Sequence, residues 1–371
     1  MTYLDYSATT KVDEEVLKTF IKASEFFGNA NSLHKLGINA KHLIEASTNQ
    51  IANILNVKPS EIIYTSGASE SNNTIIKAME KFQNRGKRII TTSLEHSSIY
   101  APLKQLEDKG FIIEYVPLKE GLVDIEKLEE MIKDDTILVT ISMVNSETGI
   151  RQPIEEIGKM LKKYPKVIFH SDITQAVGKI NFDLSYVDAA SFSAHKFFGF
   201  KGIGVLYKKE SLIIDELIAG GKSTTIFRSG TPATELIAST AKALRLSCEN
   251  IIEDYQKVKK YNGRLKKELS KYKNVSINSN ENSIPHILNI SIKGVKPETF
   301  QHALEEDEVY VSTQSACAKE ETSKAVLALT EDREKALSSI RISISKKTKE
   351  EDIENFLKAF DKSYKKLEEN L

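Results

Sequence analysis

At 371 residues the chain exceeds what one compact core comfortably supports, so a large and a smaller domain are expected. Lysine plus arginine and aspartate plus glutamate balance at 52 each, which removes any global charge argument for nucleic acid or an anionic membrane as a partner. No charged-then-apolar leader opens the sequence, and no apolar run approaches the roughly 20 residues that span a bilayer, so the expected location is cytoplasmic with no membrane contact.

Along the chain, apolar runs of strand length alternate with stretches of helical spacing. Residues 62–64, 88–91, 111–116, 137–141, 167–170, 189–192 and 205–207 read as strands, and the alternation argues for an α/β fold with a mostly parallel sheet. A helical run from 236 to about 272 predicts the connection into a second unit. Beyond it, strand-like runs at 275–277, 287–292, 309–312 and 340–344, with helices between them, predict a smaller α+β domain. A final helix is expected from about 350 to 367, with an apolar stripe. The two cysteines, Cys248 and Cys317, are too few for a disulfide framework and too scattered for a zinc site. Cys248 falls inside a helical pattern and reads as a packing residue. Cys317 stands in a small, polar stretch over 312–323 that reads as an exposed loop, where a free thiol is a liability unless it is used.

Several predicted strands run into short segments that carry chemistry. Residues 167–170 lead into Ser171-Asp172-Ile173-Thr174-Gln175, and 189–192 lead into Ser193-Ala194-His195-Lys196. An amine and a carboxylate at the carboxyl ends of two buried strands match the needs of pyridoxal phosphate (PLP). The amine forms a Schiff base with the aldehyde, and the carboxylate keeps the pyridine nitrogen protonated so that the ring accepts carbanion electrons. Open α/β sheets bind ligands at that end of their strands. Strand 62–64 enters Thr65-Ser66-Gly67-Ala68-Ser69, a glycine turn ahead of a helix over 69–82. Backbone N–H groups at such a start attract phosphate, and Ser69 serves either as a phosphate ligand or as an ordinary N-cap. His96 follows strand 88–91, where an imidazole could lie flat on a pyridine ring.

These parts recur in one order together with Asn145-Ser146-Glu147-Thr148-Gly149, Arg228-Ser229-Gly230-Thr231, Ser315-Ala316-Cys317, Ser339-Ile340-Arg341 and the N-terminal Tyr3-Leu4-Asp5-Tyr6-Ser7-Ala8-Thr9-Thr10. Over nearly its whole length the chain resembles the class V aminotransferase-like, fold-type I PLP enzymes. Among them it is similar to the cysteine desulfurases, in the branch with a long mobile Ser-Ala-Cys loop. The resemblance implies a large PLP-binding domain, residues 13–251, built on a mostly parallel seven-stranded sheet. It also implies a smaller α+β domain from residues 1–12 and 252–371 that carries the Cys317 loop.

Roles follow from the resemblance in the same way. Lys196 would carry the cofactor and remove the Cα proton, Asp172 would pair with the pyridinium nitrogen, and Gln175 would reach the phenolic oxygen. His96 would stack on the ring and relay protons. Ala68, Ser69, Ser193 and His195 would hold the phosphate, and Thr231 would reach the phosphate of the neighbouring subunit in a homodimer. Asn145 would touch the cofactor and, with Arg341, fix the substrate carboxylate.

The implied reaction removes sulfur from L-cysteine, gives L-alanine and leaves a persulfide on Cys317. An acceptor protein would then take the sulfur for iron–sulfur assembly or tRNA thiolation. Cys317 is also a candidate transient iron–sulfur ligand, and no other metal is implied. Some positions depart from the family pattern. Ser69 stands where Thr is commoner, Ser146 replaces an Asn, and Ala318-Lys319 follow the cysteine in place of Thr-Ser, in a loop slightly short for its branch. The sequence ends at Leu371 without the further tail by which general members dock an iron–sulfur scaffold, which favours a dedicated acceptor such as a tRNA-thiolating enzyme. Three other readings stand beside this one: a selenocysteine lyase, a class V aminotransferase or lyase that does not use Cys317, and a non-enzymatic scaffold.

Overall fold

The computed structural model describes residues 1–221, 223–313 and 322–368. Seven strands form the main sheet: β1 (Ile62–Thr65), β2 (Arg88–Thr91), β3 (Ile112–Tyr115), β4 (Thr136–Thr140), β5 (Ile168–Asp172), β6 (Ala189–Ser193) and β7 (Gly204–Lys208), in the order β1-β7-β6-β5-β4-β2-β3. Strands β6, β5, β4, β2 and β3 run parallel to one another. Only β7 is antiparallel, to both β6 and β1.

Helices cover both faces of this sheet, and its sequence shows why. Consecutive strand residues fall into different core clusters. Ile90, Val139 and Phe169 pack on one side with Ile157 and Leu244, whereas Ile89, Leu138 and Ile168 pack on the other with Ile75, Ile99 and Leu103. A strand sends alternate side chains to opposite faces, so a sheet buried on both faces needs unbroken apolar runs. Each such side chain contributes roughly 1.5–3 kcal/mol by leaving water.

A second core surrounds a three-stranded antiparallel sheet, β8 (Val275–Ile277), β9 (Ile287–Ile292) and β10 (Ser339–Ser343). Against it pack helix Ile251–Leu269, through Val258 and Leu265, and helix Pro297–Glu305, through Phe300 and Leu304. Helix Glu350–Glu368 adds Ile353, Phe356, Phe360 and Tyr364, spaced three or four apart so that they share one face. Leu4 belongs to this core as well. The short strand Thr2–Tyr3 pairs in parallel with Val309–Tyr310, and Asp5 bridges to Ser343. The N-terminal segment thus starts on the second core and passes Ser7 to Thr10 toward the main sheet, where Thr10 donates its backbone N–H to the carbonyl of His195 at 2.9 Å.

Three details differ from expectation. The helical run over 236–272 is two helices, Thr234–Cys248 and Ile251–Leu269, broken where Asn250 adopts φ −126°. The strand expected over 309–312 is regular only at Val309–Tyr310, and Ser312 instead makes an isolated bridge to Arg341. Helix 69–82 is an α-helix over Ala68–Ala78 that tightens into a 3-10 turn at Met79–Phe82. Among the described residues no helix is long and apolar enough to cross a membrane.

Candidate active site

The carboxyl ends of β5 and β6, the turn after β1 and the N-terminal segment meet around a pocket of about 270 Å³. Ala68, Ser69, His96, Asn145, Asp172, Gln175, Ser193, His195, Lys196 and Arg341 all line it. Sequence separation thus collapses into one cavity because each motif sits where its strand ends.

Asp172 is the last residue of β5 and is buried. Its Oδ1 accepts the Thr174 N–H at 2.9 Å, and its Oδ2 accepts Nδ2 of Asn72 at 2.8 Å. The second N–H of Asn72 goes to Ser98 Oγ at 2.9 Å, and that hydroxyl shares a 2.8 Å hydrogen bond with Nδ1 of His96. A continuous polar chain therefore ties the carboxylate to the imidazole. Two residues earlier on the same face of β5, His170 is held between Thr140 Oγ1 and Ser191 Oγ, each at 2.9 Å, and burial lowers its proton affinity.

Lys196 ends a single 3-10 turn after β6. Its Nζ donates to the carbonyls of Ser7 at 2.6 Å and Ala8 at 2.8 Å, so two acceptors of the N-terminal segment hold the amine at the pocket. His96 opens to the pocket on one side and meets protein on the other. That desolvation, with Lys196 adding repulsion, lowers its pKa against the opposing pull of Asp172 and Glu147, which favours the neutral ring. The neighbouring Glu95 is fully enclosed, accepts from Thr92 and from the amide and hydroxyl of Ser142, and is raised by burial to about 7.

Helix Ala68–Ala78 begins without a side-chain cap. Gly67 holds the cap position, so Ser69 sits in the first turn and is not the N-cap; its hydroxyl stands exposed at the pocket wall. The Ala68 N–H donates to Ser193 Oγ at 2.7 Å. An uncapped helix start carries partial positive charge and aims N–H groups outward, which suits an anion. His195 lies close by, with Nδ1 3.1 Å from Thr9 Oγ1; burial and the nearby Lys196 push its pKa down to about 4, so it faces the cradle as a neutral ring.

On the opposite wall, Arg341 donates Nη1 to the Ser146 carbonyl at 3.1 Å and Nη2 to Asp5 at 2.8 Å. Asn145 is committed to the scaffold. Its Oδ1 accepts from the Glu147 and Thr148 amides and the Thr148 hydroxyl, and its Nδ2 donates to the Leu94 carbonyl, leaving one N–H for a ligand.

An amine, a buried carboxylate, an imidazole and an anion-binding helix start around one small cavity form the donor set that PLP requires, and the residues present fit it. Two expected site residues stand apart. Thr231 is exposed and does not line this pocket. Cys317 lies outside the described residues. Among the described residues no group of three His, Cys, Asp or Glu side chains could hold a metal ion.

Sequence reasoning missed Asn72, Ser98, Thr174 and the carbonyls of Ser7 and Ala8. Asn72 had a usable signal, since it falls one helical turn after Ala68 and so shares the face that meets the pocket. The two carbonyls had none, because backbone groups leave no mark in a sequence.

Fold and site together define a PLP-dependent enzyme of fold type I. The chain belongs to the class-V aminotransferase family, whose pattern it matches over residues 2–356. It is 40% identical to the cysteine desulfurase IscS of Glaesserella parasuis, covering 99% of this chain and 93% of that one. Among solved structures, a NifS-like protein superposes with a TM-score of 0.94 at 37% identity, covering 99% of this chain and 100% of that one. SspA in complex with cysteine superposes with a TM-score of 0.82 at 31% identity, over 93% of this chain and 99% of that one.

Proposed function

We propose that the protein is a PLP-dependent cysteine desulfurase that converts L-cysteine to L-alanine and carries the sulfur as a persulfide on Cys317. The observation that carries this reading is the anchoring of both flanks of the Cys317 segment at the pocket rim. Ser312 and Arg341 exchange backbone hydrogen bonds at 3.1 and 2.8 Å, and Ser323 Oγ donates to the Glu147 carboxylate at 2.6 Å. Cys317 follows Ser312 by five positions, so chain length alone keeps it within roughly 18 Å of the residue paired with Arg341. An aminotransferase has no use for a thiol in its reaction.

Bound PLP supplies an electron sink for the carbanion formed at the substrate Cα. The protein's residues then divide the work. Arg341 presents a planar fork to the substrate carboxylate, which fixes the amino acid against the wall formed by Asn145. Lys196 Nζ takes the Cα proton. Asp172, its two oxygens held by Thr174 and Asn72, would hold the pyridine nitrogen of the cofactor in its protonated form. His96, mostly uncharged near neutral pH, can both accept and return a proton.

Cys317 as thiolate attacks the substrate sulfur. The Cβ–S bond breaks, an S–S bond forms, and Cβ takes up a proton to become the alanine methyl, so no outside oxidant is needed. Sulfur leaves when an acceptor thiol attacks the persulfide.

The finer reading is a cytoplasmic homodimer in which Thr231 serves the partner's cofactor phosphate. Leu33, 93% exposed, and Ile226, 64% exposed, border a hollow of about 910 Å³ and support a covered face there. The acceptor in this reading belongs to tRNA thiolation or iron–sulfur assembly. The test is incubation with sulfur-labelled L-cysteine. Label bound to the wild type, released by a reducing agent and absent from Cys317→Ser supports the reading; label on both proteins, or on neither, rejects it.

A further inference from the structure

Lys179 lies behind the pocket, on the turn after β5 and four residues beyond Gln175. It is 8% exposed, and its Nζ donates to Oε1 of Gln175 at 2.5 Å. From the other side, Nε2 of Gln175 donates to the Ser7 carbonyl at 3.0 Å. An ammonium can only donate and a backbone carbonyl can only accept, so the two partners fix the orientation of the amide independently and in agreement. One N–H on Nε2 remains uncommitted at the pocket wall. A phenolate oxygen needs that N–H; the reversed amide would turn lone pairs against it.

We propose that Lys179 is a positioning residue that locks Gln175 with its N–H toward the phenolic oxygen of PLP, and thereby sets the proton affinity of the cofactor bound to Lys196. The proposal rests on the reading of Gln175 as the residue that meets that oxygen. Two further observations favour it. The hydrogen-bond partner of this buried ammonium is an amide rather than a carboxylate, a costly arrangement of the kind that clusters at functional sites. The charged groups around it are also unfavourable. Lys196 and Arg341 repel it, the enclosed His286 ring feels its charge, and Asp5 is taken up by Arg341. Burial and these cations lower Lys179 to about 7. Even uncharged, the amine keeps N–H groups to donate, and Ser7 still selects Nε2, so the lock persists across neutral pH.

The visible absorption of the PLP-loaded protein, titrated with pH, tests this without reference to turnover. Loss of the N–H to the phenolate favours the protonated chromophore. Lys179→Met should therefore raise the midpoint by roughly one pH unit, a tenfold change in proton affinity. Gln175→Ala should raise it as far, and the double variant no further than Gln175→Ala alone. A shifted Gln175→Ala beside an unshifted Lys179→Met overturns the role of Lys179. An unshifted Gln175→Ala instead rejects the reading of Gln175, and the proposal with it. Should Lys179→Met fail to fold, Gln175→Glu decides. A carboxylate there pairs with Lys179 but cannot donate, so the midpoint should rise while thermal stability exceeds that of Gln175→Ala. Equal stability of the two variants overturns the proposal.

Discussion

Arg341 and Asp5, 336 positions apart, form an ion pair with Nη2 2.8 Å from Oδ1. The guanidinium is 4% exposed and the carboxylate 20%. The N-terminal strand, by pairing with Val309–Tyr310, delivers an internal carboxylate to the arginine that would bind the substrate's own. A substrate therefore competes for one arm of the fork, while among the described residues Nε of Arg341 is buried without a partner.

Asp5→Asn should lower KM for L-cysteine several-fold, because the guanidinium loses its internal competitor. It should also cost about 2 kcal/mol of stability, less than the roughly 3–5 expected for a fully buried pair because Asp5 reaches solvent. Arg341→Lys keeps the charge and loses the fork, and should raise KM by about tenfold with little change in kcat. Steady-state kinetics decides, and an unchanged KM in Arg341→Lys removes this residue from substrate binding.

Gly204 opens β7, where a Cβ would stand 2.6 Å from Gly67 Cα and 2.7 Å from the Phe192 carbonyl oxygen. Backbone on both sides leaves no flexible neighbour to yield. Gly204→Ala should push the Gly67 turn outward, destabilise the fold by about 1–3 kcal/mol and weaken PLP retention. Denaturant melts of the apoprotein and cofactor dialysis measure the two effects. Full stability with full PLP affinity would contradict the close approach.

Glu95 gives stability a pH dependence of known sign. Its carboxyl is raised from 4.5 to about 7, chiefly by burial. Between those values the folded chain binds a proton that the unfolded chain has lost. The stability that Glu95 contributes is therefore fully present below about 4.5 and lost as pH rises through 7. Glu95→Gln is neutral throughout, so its Tm should gain on the wild type as pH increases from about 5 to about 8. A constant Tm difference across that range refutes the shift. Buried His195, at about 4, and His286, at about 3, act in the opposite sense: their contribution is present above 6.5 and lost as pH falls through the folded values.

Strands were legible because each is an apolar run that ends at a polar motif, as Ile168 and Phe169 lead to Asp172 and Ala189 and Ala190 lead to Lys196. The insertion of β7 between β1 and β6 was not, since pairing between distant strands leaves no local signal. Nor was the break at Asn250, which interrupts a helical pattern without glycine or proline. The chemistry-bearing side chains of the pocket could be read from residue type. Lys179 could not, because it acts through another side chain, and a buried lysine looks in sequence like a surface one; Asn72 carried only its helical spacing from Ala68.

The most direct test of the central claim is alanine release from L-cysteine by the purified, PLP-loaded protein in the presence of a reductant, with wild type beside Cys317→Ala. Alanine matched by sulfide in the wild type and lost in the variant is the predicted result. Equal alanine from both proteins would contradict it and leave a PLP enzyme in which Cys317 plays no part.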